Sequence, residues 1–228
     1  MSGTSGWSAA TDGSDVNESA PVTEDPREHW DDHYSQRAQI WSGRVNVRLA
    51  EIAEPLPPGT ALDLGCGEGA DAVWLAGRGW RVVAADVSPV ALQRAAQLAR
   101  EQGVDDRIDF QNHDLAVSFP AGSYDLVSAQ FLHSKIELDR LSILRRAAEA
   151  VAPGGVLAIV DHGAGPPGFH EHHHFPPVEE MFDALALPDA DWDRLRVESV
   201  ERVGRTSDGT EATWLDNVIV LRRRGADR

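Results

Sequence analysis

Ala61-Leu62-Asp63-Leu64-Gly65-Cys66-Gly67-Glu68-Gly69-Ala70-Asp71 is the stretch on which the reading of this chain turns. An apolar run fit for a buried strand ends in three alternating glycines, and an Ala-rich, helix-favouring segment, Ala70 to Ala76, follows at once. The order is strand, tight turn, helix. Gly65 and Gly67 let the backbone turn sharply and approach a ligand closely, and the N-terminus of the next helix directs N–H groups into the same space. A ligand is expected there.

Gly65-x-Gly67-x-x-Ala70 also fits the dinucleotide fingerprint, with Asp86 about 20 residues on. Three features favour another ligand. Asp63 lies inside the strand, where its charge would repel a pyrophosphate; Gly69 extends the pattern to Asp-x-Gly-x-Gly-x-Gly; and a second acidic strand end follows in Phe110-Gln111-Asn112-His113-Asp114-Leu115. From about Trp41 to Val160 the set resembles the class I S-adenosylmethionine (SAM)-dependent methyltransferases. The resemblance implies SAM as cofactor and an α/β fold, a doubly wound, seven-stranded, mostly parallel sheet of the Rossmann-like methyltransferase type with an antiparallel C-terminal strand pair. The single short domain, the tryptophan-containing N-terminal segment and the loop itself look most like the bacterial tellurite-resistance methyltransferases and, more distantly, the thiopurine methyltransferases. That narrower likeness implies a thiol or other soft nucleophile on a small molecule. Natural-product N- or O-methylation is the alternative within the class; a non-catalytic SAM-binding regulator and an NAD(P)-dependent oxidoreductase stand outside it.

With 228 residues, 42% of them apolar, the chain has material for one sizeable α/β domain. A formal net charge of −16 repels phosphate polyanions, so nucleic acid is not an expected partner. Cys66 has no second cysteine to pair with, no apolar run reaches about 18 residues, and the N-terminus lacks a signal peptide's basic and apolar regions. A soluble cytoplasmic enzyme, monomer or homodimer, is expected, with a small-molecule acceptor and no membrane.

Residues 1–25 are polar and acidic and offer little to bury, so a disordered tail is expected before a domain spanning 26–228. Residues 26–58 read as N-terminal cap helices. Pro26 opens the first, which sets Trp30 and Tyr34 on one face, and Val47 to Ala53 forms the second. Strand and helix then alternate: Trp80 to Asp86; a helix capped by Ser88 and running from Pro89 to about Gln102; Ile108 to Gln111; Tyr124 to Ala129; a helix from Leu138 to Val151; and Val156 to Asp161. A His/Pro/Gly-rich insert over 162–178 and a helix around Val178 to Leu187 follow. Two alternating strands, roughly Arg196 to Val203 and Ala212 to Leu221, close the chain. The repeated alternation calls for parallel pairing through right-handed crossovers, with the ligand beyond the carboxyl ends of the strands.

The resemblance then assigns roles. Gly65, Cys66, Gly67 and Gly69 form the cofactor loop, and Asp63 orients that loop or the methionine amino group. Asp86 accepts from both ribose hydroxyls. Asp114 accepts from the adenine amino group, with Val87 and Leu115 on the ring faces, and Arg44 pairs with the SAM carboxylate. Gln130, at the end of the fourth strand, joins the cofactor set. Tyr34 and Trp41, in the N-terminal segment, are substrate-pocket candidates.

Methyl transfer needs position more than a dedicated base, but an alcohol acceptor needs help losing its proton. His133 is the best base candidate, with His162 beside it at the end of the fifth strand. His170-Glu171-x-x-His174 matches a zinc-protease pattern, yet Pro166-Pro167-Gly168 and Pro176-Pro177 leave room for at most about two helical turns. The match reads as accidental. His170 and His172 are expected on a metal-free lid over the acceptor.

Overall fold

β1, Thr60–Leu64, lies at the centre of a seven-stranded sheet and carries the glycine loop at its carboxyl end. The computed structural model describes residues 25–134, 136–164, 175–205 and 210–225. Apart from Asp25, the expected tail lies outside these, as does the histidine-rich heart of the insert, including His170 and His172.

In chain order the elements are α1 (Pro26–Ser35), α2 (Val47–Ala53), β1, α3 (Ala70–Gly77), β2 (Arg81–Asp86), α4 (Pro89–Glu101) and, after a single 3-10 turn, β3 (Ile108–Asn112). Then come β4 (Tyr124–Gln130), α5 (Arg140–Glu149), β5 (Val151–Ala164), α6 (Val178–Leu185), β6 (Trp192–Arg205) and β7 (Glu211–Arg223). The strands lie in the order β3-β2-β1-β4-β5-β7-β6. The first five are mutually parallel, and β7 runs antiparallel between β5 and β6. The expected antiparallel closing pair is present, with the last strand inserted between its two neighbours.

Because side chains alternate along a strand, the sheet feeds two cores. Leu62, Leu64, Val127, Ala129, Leu157 and Ile159 pack beneath α5 and α6 on one face. Ala61, Leu126, Val156 and Val160 pack with α2 and α3 on the other. Burial on both faces explains why the central strands read as nearly unbroken apolar runs. The Asp63↔Ser128 register puts Asp63 on the same face as Ser128 and Gln130, directed toward α3. α4 begins as the sequence requires: the Ser88 hydroxyl accepts the Ala91 N–H at 3.1 Å, and Pro89 occupies the first turn, where no N–H is needed.

β5 departs from expectation. Pro153-Gly154-Gly155 does not precede the strand but lies inside it, since Val151 already pairs with Tyr124 and the register shifts before Leu126 meets Val156. An irregularity in one strand accommodates residues that a regular ladder would exclude.

Candidate active site

The glycine loop is stitched to its neighbours by its own amides. The N–H groups of Gly65 and Cys66 both donate to the Ala85 carbonyl, at 2.8 and 3.0 Å, and Gly69 donates to Cys66 at 2.9 Å. Gly67 donates to Asp86 Oδ2 at 2.9 Å, while Asp86 Oδ1 accepts from Ser88. In the first turn of α3, Ala72 donates to the Asp63 carboxylate. Gly69 has φ +82°, and a Cβ there would stand 2.6 Å from that of Ala95, so α3 meets α4 only through glycine. At Gly67, φ +52°, a Cβ would come within 2.9 Å of the Tyr34 hydroxyl.

Acceptor atoms are left over. Asp63 is buried, and its Oδ2 makes no hydrogen bond among the described residues. Gln130 gives its amide to the Ser128 hydroxyl at 3.0 Å and leaves Oε1 buried with no hydrogen-bond partner among the described residues. Burial pushes the Asp63 carboxyl well above the usual range, and the negative Asp71 and Asp86 push it further. Asp71 is raised to about 6 by burial, partly offset by the Asn46 N–H that it accepts at 2.6 Å. Asp86 is raised by burial against three backbone hydrogen bonds that hold it down. Burial raises the Cys66 thiol too, so it is not a thiolate nucleophile.

Tyr34 and Trp41 are seated on this loop, where the sequence reading had placed them at the acceptor. Trp41 Nε1 donates to the Tyr34 hydroxyl at 3.2 Å, directly over Gly67. The clamp that holds them has no sequence signature. Glu68 accepts from the Ile40 and Trp41 amides and from Arg94, at 2.8 to 3.1 Å, and Arg94 donates to the carbonyls of Tyr34 and Arg37. Asp31 ties α1 to the start of α4 by accepting from the Ser88 hydroxyl at 2.5 Å. Arg44 is exposed. Asp114 turns the chain after β3, its Oδ1 accepting from Ala116 at 3.0 Å. Val87 is partly exposed at the site's rim, whereas the Leu115 side chain is packed into the core under α5.

Beyond β4 and β5 lies a second cluster. The His133 and His162 rings are nearly parallel, 14° apart, with centroids separated by 5.6 Å. Phe131 lies 4.4 Å from His162, Phe175 is 5.6 Å from it, and Trp214 is 6.4 Å away. Asp161 is almost wholly buried, ion-paired with Arg140, and 3.4 Å from His133 Nε2. Burial raises its carboxyl against the opposing charges of Arg140 and His162. Asp161 was legible as an acid after an apolar strand, but Arg140 had no signal.

The architecture is the Rossmann-like methyltransferase fold. NodS, an N-methyltransferase from Bradyrhizobium japonicum WM9 solved in complex with S-adenosyl-L-homocysteine, superposes with a TM-score of 0.64 at 19% identity, covering 87% of this chain and 99% of that one. TehB from Haemophilus influenzae gives 0.63 at 19% identity, covering 85% and 67%. Residues 61–155 match the family model described as a methyltransferase domain. The 27-O-demethylrifamycin SV methyltransferase of Amycolatopsis mediterranei is 35% identical over 137 residues, 58% of this chain and 49% of that protein. The tRNA 5-carboxymethoxyuridine methyltransferase of Escherichia coli K12 is 33% identical over 105 residues, 45% and 40%. The chain thus spans about half the length, or less, of these curated relatives. Among the described residues no helix is long and apolar enough to cross a membrane.

Proposed function

We propose that this chain binds SAM at the glycine loop and catalyses methyl transfer to a small molecule seated by the histidine–aromatic cluster. One observation carries the reading: the amides of Gly65, Cys66, Gly67, Gly69 and Ala72 are satisfied by protein acceptors, while among the described residues the buried side-chain atoms left without a partner beside the loop, Asp63 Oδ2 and Gln130 Oε1, are acceptors. A pyrophosphate site needs spare N–H groups and positive potential. This site offers Asp63 Oδ2, Gln130 Oε1 and the carboxylates of Asp71 and Asp86, which suit a cationic ligand rich in donors.

The residues fit that ligand part by part. The Asp86 oxygens accept backbone N–H groups, Oδ2 from Gly67 and Oδ1 from Ser88, and keep lone-pair capacity for a ribose hydroxyl. Asp63 and Gln130 face the ammonium and sulfonium, and Asp114 keeps its second oxygen for the adenine amino group beside Val87. Leu115 contributes its backbone, since its side chain is in the core. Arg44 reaches the carboxylate from the loop after Trp41, while Tyr34 and Trp41 cover Gly67 and exclude water. When bound, SAM supplies a methyl carbon made electrophilic by the sulfonium. The protein holds the acceptor in line and leaves the proton to His133.

The small-molecule acceptor is supported by the net charge of −16, which opposes a polyanion such as tRNA, and by the 27-O-demethylrifamycin SV in the name of the Amycolatopsis relative. At 19% identity, the likeness to TehB concerns the fold alone and leaves the soft-nucleophile reading without support of its own. Titration calorimetry tests the cofactor: SAM and S-adenosylhomocysteine bind and NAD(P)H does not. Tight NADH binding with no SAM signal would overturn the proposal.

A further inference from the structure

Asp161 interrupts an apolar strand. Val156-Leu157-Ala158-Ile159-Val160 runs through the core, and the next residue is an acid with 1% exposure. A charge so buried is costly unless paired, and Arg140, in the first turn of α5, pairs it. Arg140 also reaches sideways: its Nε donates to the Leu132 carbonyl at 2.8 Å, within the turn that carries His133. That turn is constrained from its start. Phe131 has φ +50°, a left-handed conformation that is strained for an aromatic residue. It persists because the Phe131 N–H donates to Val160 at 2.7 Å and the His133 N–H to Phe131 at 2.8 Å. The end of β4, the start of α5 and the end of β5 together hold one imidazole against one carboxylate, His133 Nε2 to Asp161 Oδ1 at 3.4 Å.

We infer that Asp161, fixed by Arg140, is a positioning residue that sets His133 as the proton acceptor for a hydroxyl-bearing substrate, so that the methylated atom is the oxygen of an alcohol or phenol. The inference rests on the methyltransferase reading above and narrows its acceptor. A thiol is partly ionised near neutral pH and a neutral amine attacks without first losing a proton, so neither calls for a buried carboxylate behind an imidazole. An alcohol does. With Nε2 3.4 Å from Asp161, the imidazolium formed when the ring takes a proton is stabilised by the carboxylate.

In the step, the hydroxyl O–H bond breaks and its proton passes to His133. The oxygen–methyl bond forms as the sulfur–methyl bond of the donor breaks; the sulfur keeps that electron pair and becomes a neutral thioether, and the imidazolium then returns the proton to solvent. Phe131, Phe175 and Trp214 give the acceptor an aromatic surround suited to a flat, largely apolar body.

Among the described residues, the charged and titratable groups facing His133 include Asp161 and His162 on β5 and Arg140 on α5, with Arg202 of β6 lying over Phe131, 5.9 Å from its ring centroid. The test uses the full chain and begins by measuring SAM binding, whose absence would sink the methyltransferase reading and be read separately. Phenol and thiophenol, and an aliphatic alcohol and its thiol, are then offered with SAM, and methylated product is followed from pH 6 to 9. Hydroxyl acceptors are expected to be turned over, with kcat falling ~10²–10⁴-fold in His133→Ala. Asp161→Asn lowers kcat, leaves SAM affinity unchanged, and moves the acid limb of the kcat/KM profile to lower pH.

NMR titration of the imidazole gives a readout independent of turnover. In Asp161→Asn the His133 midpoint moves to lower pH, because a neighbouring negative charge has gone. Should that variant fail to fold, the wild-type midpoint decides: above the ~6.5 of an unperturbed histidine supports the inference, and at or below it overturns it. Methylation of thiols but not hydroxyls, or a His133 titration indifferent to Asp161→Asn, would also overturn it.

Discussion

Asp86 uses its two oxygens on two backbone segments, one accepting from Gly67 in the loop and the other from Ser88 at the start of α4. Its place at a strand's end, about 20 residues past the loop, was legible from spacing alone. Its second task, holding the loop's shape, was not, because that bond is set by the distance between β1 and β2. The same limit hid Arg140, which pairs with an acid 21 residues away in the chain. Asp86→Ala removes the loop anchor and, with it, the ribose contacts proposed above. Each charge-assisted bond lost is worth ~1.5–3 kcal/mol, so SAM affinity should fall at least tenfold. Calorimetry reads this directly, and an unchanged affinity would remove Asp86 from the cofactor.

Caps and breakers made most helices legible. Pro26 and Ser88 stand at or beside helix starts as the sequence requires, and in the structure Asn46 and Asp139 cap α2 and α5 in the same way. The closing strands were underestimated because β6 is an edge strand rich in Asp, Glu and Arg, and its length is set by pairing with β7 rather than by its own apolar pattern. The N-terminal segment was legible as a cover but not in its attachment. Glu68 and Arg94 hold it through side-chain-to-backbone bonds, which leave no pattern in sequence. Glu68→Gln keeps the shape and removes the charge, weakening the contacts to Ile40, Trp41 and Arg94 by ~1–3 kcal/mol in all. Hydrogen exchange at the Ile40 and Trp41 amides should quicken and SAM should dissociate faster, while the sheet keeps its protection. Exchange at wild-type rates would show that the segment is held by other means.

At the scale of the whole molecule, strand–helix alternation and the crossover rule made the parallel core legible, whereas the insertion of β7 between β5 and β6 is a long-range choice that local pattern does not specify. The core brings Asp63, Asp71 and Asp86 to one strand-end region, and burial raises all three carboxyls. A carboxyl raised in the folded state binds its proton more tightly there than in the unfolded chain. The contribution of these groups to stability is therefore fully present below the ordinary value of 3.8 and declines as pH rises through about 6, where Asp71 loses its proton. A bound cation reverses the balance, since it favours the ionised acids, so SAM affinity should rise with pH through that window. At 100 times its Kd, a ligand adds ~2.7 kcal/mol, or about 5–10 °C in Tm for a chain of this size. Thermal unfolding at one fixed SAM concentration should thus give a larger upward shift at pH 7.5 than at pH 5.5. S-adenosylhomocysteine, which lacks the sulfonium charge, should show a weaker pH dependence, and NADH no shift at all. A SAM-induced shift of equal size at both pH values would mean that the carboxylates at the glycine loop do not face the ligand's charge.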